Sequence, residues 1–344
     1  MYMIEPIMAQ KYIVDTTFKF HFDYRNRAGN GDVEDIWENP RNGKIMMVGD
    51  FELDLVNPRE FHYGTTIVKR DGSRDFAFKG GSSGRRINTL GDSIYFVSGN
   101  FSVKKMDSTG ASILPNYFNN IGRNSVRCNS TLEPLLFEDG SMLLSNNWGR
   151  NGSCDIILPP DTFPHQYSVK VNPQGLWDST FKASANSPPP GYIAYDSNRI
   201  LVYGSPWRFT QFNGTTVNGL CRIFNDGTLD TTFKTPILSD TISVLNPSWL
   251  WIDYVYPDGR FLAVGNFYLK DSTQSHQIMR FHGDGSLDTT FMNFYNAEDT
   301  SRWGFPWIET VAPLDDGGFL VGGSFNKFQG VPYNDIAKLI QTVV

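Results

Sequence analysis

A short motif, Asp-x-x-Phe, recurs along the chain and constrains its fold more than any other sequence feature. Five copies are complete, and a sixth keeps the phenylalanine but has proline in place of the aspartate. The complete copies are Asp15–Phe18, Asp75–Phe78, Asp178–Phe181, Asp230–Phe233 and Asp288–Phe291, and the degenerate copy is Pro115–Phe118. Their first residues are separated by 60, 40, 63, 52 and 58 residues. Periods of this size are typical of propellers and other arrays, in which each unit buries its faces against its neighbours.

A second motif lies between successive copies of the first. It is a short apolar run that ends in glycine and usually an aromatic residue, as in NGKIMMVGDF (42–51), DGRFLAVGNF (258–267) and DGGFLVGGSF (316–325). The Asn-Gly or Asp-Gly at its start favours the positive φ angles of tight hairpin turns. The residues that follow are β-branched or aromatic over the length of a strand. No stretch of comparable length has a helical period, so we predict an all-β chain with little helix.

Each unit of roughly 55 residues therefore reads as four antiparallel strands, which is the composition of a propeller blade. We expect each repeat aspartate to accept hydrogen bonds from the backbone N–H groups just after it, as in an Asx-turn. Each repeat phenylalanine is expected to insert between two blades. These roles are structural rather than catalytic, and they are predicted for Asp15, Phe18, Asp75, Phe78, Phe118, Asp178, Phe181, Asp230, Phe233, Asp288 and Phe291.

The ends of the chain indicate how the ring closes. The final unit stops before any Asp-x-x-Phe, whereas the chain begins with one at Asp15. The N-terminal segment is therefore predicted to supply the outer strand of the last blade, beside residues 336–340, which would remove an exposed sheet edge. This favours a single β-propeller domain of six blades over 11–344, after an N-terminal extension at 1–10. Seven blades would require a divergent unit within one long interval.

The combined pattern resembles the delta-60 repeat β-propeller family, whose repeat joins an Asp-Gly hairpin, an apolar run ending in Gly-x-Phe and a closing Asp-x-x-Phe. The resemblance covers most of the chain, is best at 255–291 and 311–340, and is weakest at 92–160. It implies a propeller with a binding or scaffolding role and specifies no substrate. Because the motif residues are structural, the resemblance carries over no catalytic residue.

The long, irregular segments are all expected on one face of the disc, where the connections between blades lie. Functional variation tends to occur on such loops. Because Trp and Tyr are enriched where proteins contact partners, the aromatic residues in or beside these segments predict a partner-binding surface. The alternative is that several of them cap the ends of the blades. The candidates are Trp148, Trp207, Trp249, Trp303, Trp307, Tyr63 and Tyr333, together with Tyr192, Phe209 and Phe212, whereas Trp37, Trp177 and Trp251 are expected in the core.

A search for catalytic and metal-binding patterns is mostly negative. The five histidines are scattered without metal-ligand spacing, and neither a nucleophile elbow nor a phosphate-binding loop is present. We therefore predict no cofactor and no metal site. The loop at 80–86 (GGSSGRR) could bind an anion but is read more simply as a flexible connection. An enzymatic alternative, a glycan-cleaving hydrolase or lyase, would need acidic residues facing the propeller axis, and the candidates are Asp35, Glu133, Asp253 and Glu309.

The leading expectation is a non-enzymatic interaction propeller with a protein or a surface glycan as its partner, and a lectin-like glycan binder is a further possibility. The net charge of −6 gives no general attraction to nucleic acid or to anionic membranes. The sequence shows no secretory signal and no apolar run long enough for a membrane span. We accordingly expect synthesis in the cytoplasm and, for a single propeller of this kind, a place in a phage virion as a tail or host-attachment component.

Overall fold

The computed structural model describes most of the chain. The described residues are 11–18, 20, 32–53, 62–78, 86–90, 94–99, 102–111, 131–147, 156–158, 161–163, 168–172, 176–187, 191–206, 208–237, 249–270, 275–291, 297–298, 306–333 and 335–342. They form strands and turns without any helix, which confirms the all-β prediction.

Strands in the first half of the chain are β1 (Lys11–Val14), β2 (Asp32–Glu38), β3 (Ile45–Leu53), β4 (His62–Val68), β5 (Arg86–Leu90), β6 (Ile94–Gly99), β7 (Ser102–Asp107), β8 (Thr131–Leu136), β9 (Met142–Asn147), β10 (Ile156–Leu158), β11 (Asp161–Phe163) and β12 (Ser168–Val171). Those in the second half are β13 (Gly191–Ala194), β14 (Arg199–Tyr203), β15 (Gln211–Phe212), β16 (Thr215–Thr216), β17 (Leu220–Phe224), β18 (Trp249–Val255), β19 (Phe261–Tyr268), β20 (Ser275–Phe281), β21 (Ala297–Glu298), β22 (Trp307–Pro313), β23 (Phe319–Ser324), β24 (Lys327–Phe328), β25 (Val331–Pro332) and β26 (Ile336–Thr342).

Six antiparallel sheets of the described chain form a propeller. In chain order they are β2-β3-β4, β5-β6-β7, β8-β9-β12, β13-β14-β17, β18-β19-β20 and β22-β23-β26-β1. The first strand of each sheet, here called its inner strand, contacts the inner strand of the next sheet, and β22 contacts β2 in turn. The inner strands thus make a closed ring around an axis, as the repeat predicted. Six blades rather than seven stays a prediction, because segments such as 112–130 and 148–155 lie outside the described residues.

Strand β1 closes the ring. It pairs antiparallel with β26 in a register that runs from Lys11 opposite Thr342 to Val14 opposite Leu339. The Tyr12 ring packs edge-on against Phe319 with ring centroids 4.8 Å apart. The closure predicted from the displaced Asp-x-x-Phe is therefore confirmed.

The fourth strand of the other blades differs from the prediction. In four sheets it is reduced to a single bridging residue, and the pairs are Val68–Arg74, Val171–Trp177, Ile223–Leu229 and Phe281–Leu287. The reason is the short distance between two turns. The hairpin turn ends at Thr228, for example, and Asp230 already begins the next turn by accepting a hydrogen bond from the Thr232 N–H at 3.0 Å. Strand β1 in the closing blade, by contrast, pairs over four residues.

The repeat phenylalanines lie between neighbouring sheets. Phe291 packs in one cluster with residues of the sheets that contain β19 and β23, and Phe233 does the same between the sheets of β14 and β19. Phe18, Phe78 and Phe181 occupy the corresponding positions at three further sheet interfaces, while Phe118 lies outside the described residues. Much of the aromatic content of the chain is therefore used to join sheet to sheet.

The repeat aspartates bind the chain just after them. Each of Asp15, Asp75, Asp178, Asp230 and Asp288 accepts, through Oδ1, the backbone N–H two residues later at 2.9–3.0 Å. In two of these copies, Oδ2 of the aspartate also pairs with Nε of a buried arginine at 2.7 Å. The pairs are Arg222 with Asp230 and Arg280 with Asp288. Sequence reasoning had not foreseen these arginines, which lie eight residues before their aspartates on the third strand.

Candidate functional site

A cavity of about 280 Å³ lies inside the ring of inner strands. All six inner strands contribute to its wall, through Asp35, Arg86, Leu135, Tyr192, Asp253 and Val311 among others. It reaches Glu38, the last residue of β2, and Asp315, which follows the end of β22. The cavity is therefore the axial site of the propeller.

Arg86 crosses this axis. Its Nη1 atom lies 3.0 Å from Oδ1 of Asp253 and 3.8 Å from Oδ1 of Asp35. Arg86 belongs to β5 and Asp253 to β18, which are opposite each other in the order of the ring. The guanidinium group consequently joins opposite sides of the propeller, and we call Asp35, Arg86 and Asp253 the axial clasp.

The two carboxylates of the axial clasp also bind backbone groups of neighbouring sheets. Oδ2 of Asp35 accepts the Ile87 N–H at 2.8 Å, which links β2 to β5. Oδ2 of Asp253 accepts the Val311 N–H at 2.7 Å, which links β18 to β22. Since each carboxylate holds two sheets together, the arrangement has a clear structural role.

Burial affects the protonation of the axial clasp. It raises the pKa of Asp35 from 3.8 to about 7; the charge of Arg86 lowers this pKa, and the nearby carboxylate of Asp253 raises it further. Burial likewise raises the pKa of Asp253, against the charge and hydrogen bond of Arg86. A carboxyl group with a pKa near 7 can give or take a proton at neutral pH, which is also what a general acid requires.

The raised pKa of Asp35 makes stability depend on pH. The folded state keeps a proton that the unfolded chain releases above about pH 4, so the free energy of unfolding should fall as pH rises from about 4 to about 7. Asp35→Asn removes the titrating group and should flatten this slope in urea-unfolding measurements. Asp71→Asn is the matched control, because Asp71 is an exposed turn residue whose pKa is lowered. An equal slope in Asp35→Asn and the unchanged protein would contradict the assignment.

Of the four acidic candidates from the sequence, the structure brings Asp35 and Asp253 together. Glu309 is half-buried at a bulge where the register of β22 shifts, and it is not part of the cavity wall. Glu133 belongs to β8, and its side chain lies outside the described residues.

The sequence reading missed Arg86, which it had assigned to a flexible Gly/Ser-rich connection. No local signal distinguishes this arginine, since its partner Asp253 is 167 residues away.

Two of the aromatic candidates form a pair at the other end of the inner strands. Trp249 and Trp307 are the first residues of β18 and β22, and their ring centroids are 4.9 Å apart at an interplanar angle of 38°. Trp307 is 44% exposed, while Trp249 is half-buried. Gly323, which pairs with Ile308, allows this close strand pairing, since a Cβ there would lie 2.1 Å from the Trp307 carbonyl oxygen.

The other aromatic candidates are placed differently. Tyr333 is 9% exposed, and its hydroxyl donates to the Asp15 carbonyl oxygen at 2.8 Å, so it belongs to the ring closure rather than to an exposed surface. Tyr192, Phe209 and Phe212 are buried in the core. Trp148, Trp207 and Trp303 lie outside the described residues, as does the side chain of Tyr63 on β4.

One tryptophan expected in the core is on the surface. Trp177 is 43% exposed and occupies the single bridging position that replaces the fourth strand of its blade. Trp37 and Trp251 are half-buried, and both pack against core clusters as expected.

Comparison with known proteins agrees with the fold. Residues 197–233 and 257–291 match the family described as a domain of unknown function (DUF5122) beta-propeller, and each segment ends on one Asp-x-x-Phe. The resemblance to delta-60 repeat propellers is confirmed. None of the curated proteins compared with the chain matches it significantly.

Solved structures with a similar arrangement are distant in sequence. A gluconolactonase from Xanthomonas campestris is 12% identical, with a TM-score of 0.47 over 98% of this chain and 99% of its own. A mannose phosphorylase from Leishmania mexicana is 9% identical, with a TM-score of 0.33 over 96% of this chain and 88% of its own. Scores of this size transfer neither an activity nor a substrate.

Two further observations concern the described residues. They contain no group of three or more His, Cys, Asp or Glu side chains placed to hold a metal ion. They also include no helix with the length and apolar character of a membrane span.

Proposed function

We propose that this chain is a non-enzymatic binding propeller, which presents the Trp249–Trp307 pair to a protein or glycan partner. The observation that carries the proposal is the exposed Trp307 ring held against Trp249 at the start of two neighbouring inner strands. Those strand ends receive the long connections from the preceding sheets, 238–248 and 292–306. An exposed aromatic ring at the start of an ordered strand suits recognition of a partner.

The use of the acidic residues also supports a binding role. In the axial clasp, Asp35 and Asp253 accept hydrogen bonds from backbone N–H groups and interact with Arg86, and these contacts hold neighbouring sheets together. This structural role accounts for two acidic residues at the axis of a non-enzymatic propeller.

Substitution of Trp307 tests the proposal. Trp307→Ala should weaken partner binding by about thirtyfold, the effect of losing an aromatic hot spot, in glycan-array and protein pull-down measurements made side by side. Trp177→Leu is the control, because it removes an exposed tryptophan from a different part of the surface. A partner that binds both variants as tightly as the unchanged protein would overturn the assignment of this surface.

A glycan-cleaving enzyme is the second candidate, favoured by a carboxyl group with a pKa near 7 in an axial cavity beside a second carboxylate. Release of reducing sugar from bound glycans, lost in Asp35→Asn, would support it over the binding role.

The virion context expected from the sequence stays a prediction, which identification of the chain in purified phage particles would test.

A further inference from the structure

Two hairpins of the described chain are built alike. One contains β24 and β25 and the other contains β15 and β16, and each connects the second and third strands of its blade. We call residues 325–333 together with Asp335 the closing hairpin, and residues 209–219 the reference hairpin. Each begins with two buried phenylalanines and turns through a residue of positive φ that precedes a glycine. These residues are Phe325, Phe328, Gln329 and Gly330 in the closing hairpin and Phe209, Phe212, Asn213 and Gly214 in the reference hairpin.

The same backbone hydrogen bonds close both hairpins. The Asp335 N–H donates to the Phe325 carbonyl oxygen at 2.9 Å, and the Asp335 carbonyl oxygen accepts an N–H of β23 at 3.0 Å. In the reference hairpin the Gly219 N–H donates to the Phe209 carbonyl oxygen at 2.9 Å. The Gly219 carbonyl oxygen accepts the N–H of the residue after β14 at 2.7 Å. Asp335 therefore occupies the position of Gly219.

The backbone at this position suits glycine. Asp335 has a φ of 60°, compared with 76° at Gly219 and 67° at Gly64 in the blade of β4. Each of these residues lies three positions before the residue that accepts the N–H of the repeat aspartate. In the blades of β7 and β20 the position falls within an extended strand, and in the blade of β12 it lies outside the described residues. A side chain in the left-handed region costs free energy, so Asp335 is strained where two other blades have glycine.

The Asp335 side chain is buried and makes one hydrogen bond that the reference hairpin makes differently. Its Oδ1 atom accepts the Phe325 N–H at 3.1 Å, whereas the Phe209 N–H donates to the Ser205 carbonyl oxygen at 2.8 Å. The residue is only 6% exposed. Burial raises the pKa of Asp335 to about 8, and the hydrogen bond from Phe325 lowers it. The carboxyl group is therefore mostly neutral at pH 7 in the closed hairpin.

The cation nearest to Asp335 along β26 is used elsewhere. Lys338 pairs with Asp15 and Asp316 at 3.6 and 3.1 Å. None of the described ion pairs joins a cation to Asp335, and β23, which packs beside β26, contains no ionisable residue. The other ionisable residues of the closing hairpin and of β1 are Lys11, Tyr12, Lys327 and Tyr333. An ionised Asp335 would be a buried anion held by a single N–H group, whereas the neutral acid needs no cation.

The closing hairpin lies at the junction of β1 with the last blade. Its phenylalanines belong to the same core cluster as Tyr12, and the Tyr333 hydroxyl donates to the Asp15 carbonyl oxygen at 2.8 Å. Strand β24 also pairs with β21, which belongs to the connection from the preceding sheet. We propose that Asp335 is a proton-dependent latch, which holds the closing hairpin in place as a neutral acid and lets it open locally as an anion.

Hydrogen exchange, followed by mass spectrometry on peptides from the two hairpins, tests the latch in the unchanged protein. After correction for the intrinsic exchange rate, protection of the closing hairpin should fall by up to about tenfold for each pH unit from about pH 5 to about pH 8 and then level off. The reason is that the closed hairpin keeps a proton that the open hairpin releases. The reference hairpin has glycine at this position and should show no such fall. Equal pH dependence in the two hairpins, or none in either, would overturn the inference.

Two substitutions separate the charge of Asp335 from its backbone strain. In Asp335→Asn the amide oxygen can still accept the Phe325 N–H, and asparagine tolerates a positive φ but does not titrate. Protection of the closing hairpin should then be independent of pH and, above about pH 7, at least about tenfold greater than in the unchanged protein. Asp335→Gly relieves the strain but removes the acceptor of the Phe325 N–H, so its protection should be lower than that of Asp335→Asn at every pH.

The same pH dependence in Asp335→Asn as in the unchanged protein would assign the titration to another group and overturn the inference. Thermal unfolding verifies that both variants fold. The comparison of the two hairpins within the unchanged protein decides the question even if a variant does not fold.

Discussion

Arg86→Ala is expected to lower the free energy of unfolding by about 3–5 kcal/mol, the cost of leaving buried charges without their partner. The substitution removes the only cation of the axial clasp and leaves Asp35 and Asp253 facing each other across the cavity. Urea unfolding at neutral pH measures the loss. Arg70→Ala is the matched control: Arg70 also bridges two carboxylates, Glu38 and Asp315, but is 41% exposed, so its removal should cost about 1 kcal/mol or less.

The pH dependence of the Arg86→Ala effect distinguishes charge from packing. At about pH 5 the carboxyl group of Asp35 takes up a proton, because burial raises its pKa to about 7, so the destabilisation should be smaller than at about pH 8. A loss of the same size at both pH values would mean that Arg86 acts by filling space rather than by its charge.

Asp288→Ala is expected to lower the free energy of unfolding by about 3–5 kcal/mol as well. The Asp288 side chain is 1% exposed and pairs with Arg280 at 2.7 Å, and it also fixes the turn through the Thr290 N–H at 3.0 Å. Its loss leaves the guanidinium of Arg280 buried without its carboxylate. Calorimetric and urea unfolding of the purified variant measure the change.

Asp284→Ala provides the control within the same hairpin. Asp284 makes the same kind of turn contact, with the Ser286 N–H at 2.9 Å, but it is exposed, and none of the described ion pairs includes it. Equal losses of stability in Asp288→Ala and Asp284→Ala would show that the turn contact, and not the ion pair, stabilises the fold.

The contribution of Asp288 also depends on pH. The pKa of Asp288 is lowered to about 2, so the stability it contributes should be present above about pH 4 and lost as pH falls towards 2.

The sequence alone was enough to predict the repeat architecture, because its determinants are local. Asp-Gly turns, strand-length apolar runs and the Asp-x-x-Phe motif each act within about ten residues, and each recurs. The displaced copy at Asp15 even indicated the pairing of β1 with β26 across the whole chain. The sequence predicted four strands in every blade, but in four blades the fourth strand is a single bridging residue. Two turns lie so close together there that no longer strand fits between them.

The candidate sites were less predictable because they depend on contacts between distant segments. Asp35 and Asp253 could be nominated as acidic residues on inner strands, but nothing near Arg86 indicates that it reaches across the axis to join them. Trp177 was expected in the core because it lies close to a strand motif. It is exposed at a bridging position where Leu229 and Leu287 are half-buried in other blades, a difference that the local sequence does not indicate.

The pairing of β1 with β26 gives the ring a seam. Each of the other five sheets of the propeller takes its strands from one stretch of the chain, whereas this sheet pairs β1 with β26 through hydrogen bonds and packing alone. Bringing Lys11 beside Thr342 costs loop-closure entropy for almost the entire chain, although that cost grows only slowly with length. Hydrogen bonds and side-chain packing alone therefore hold the ring closed at this seam, where Lys11 and Thr342 lie side by side.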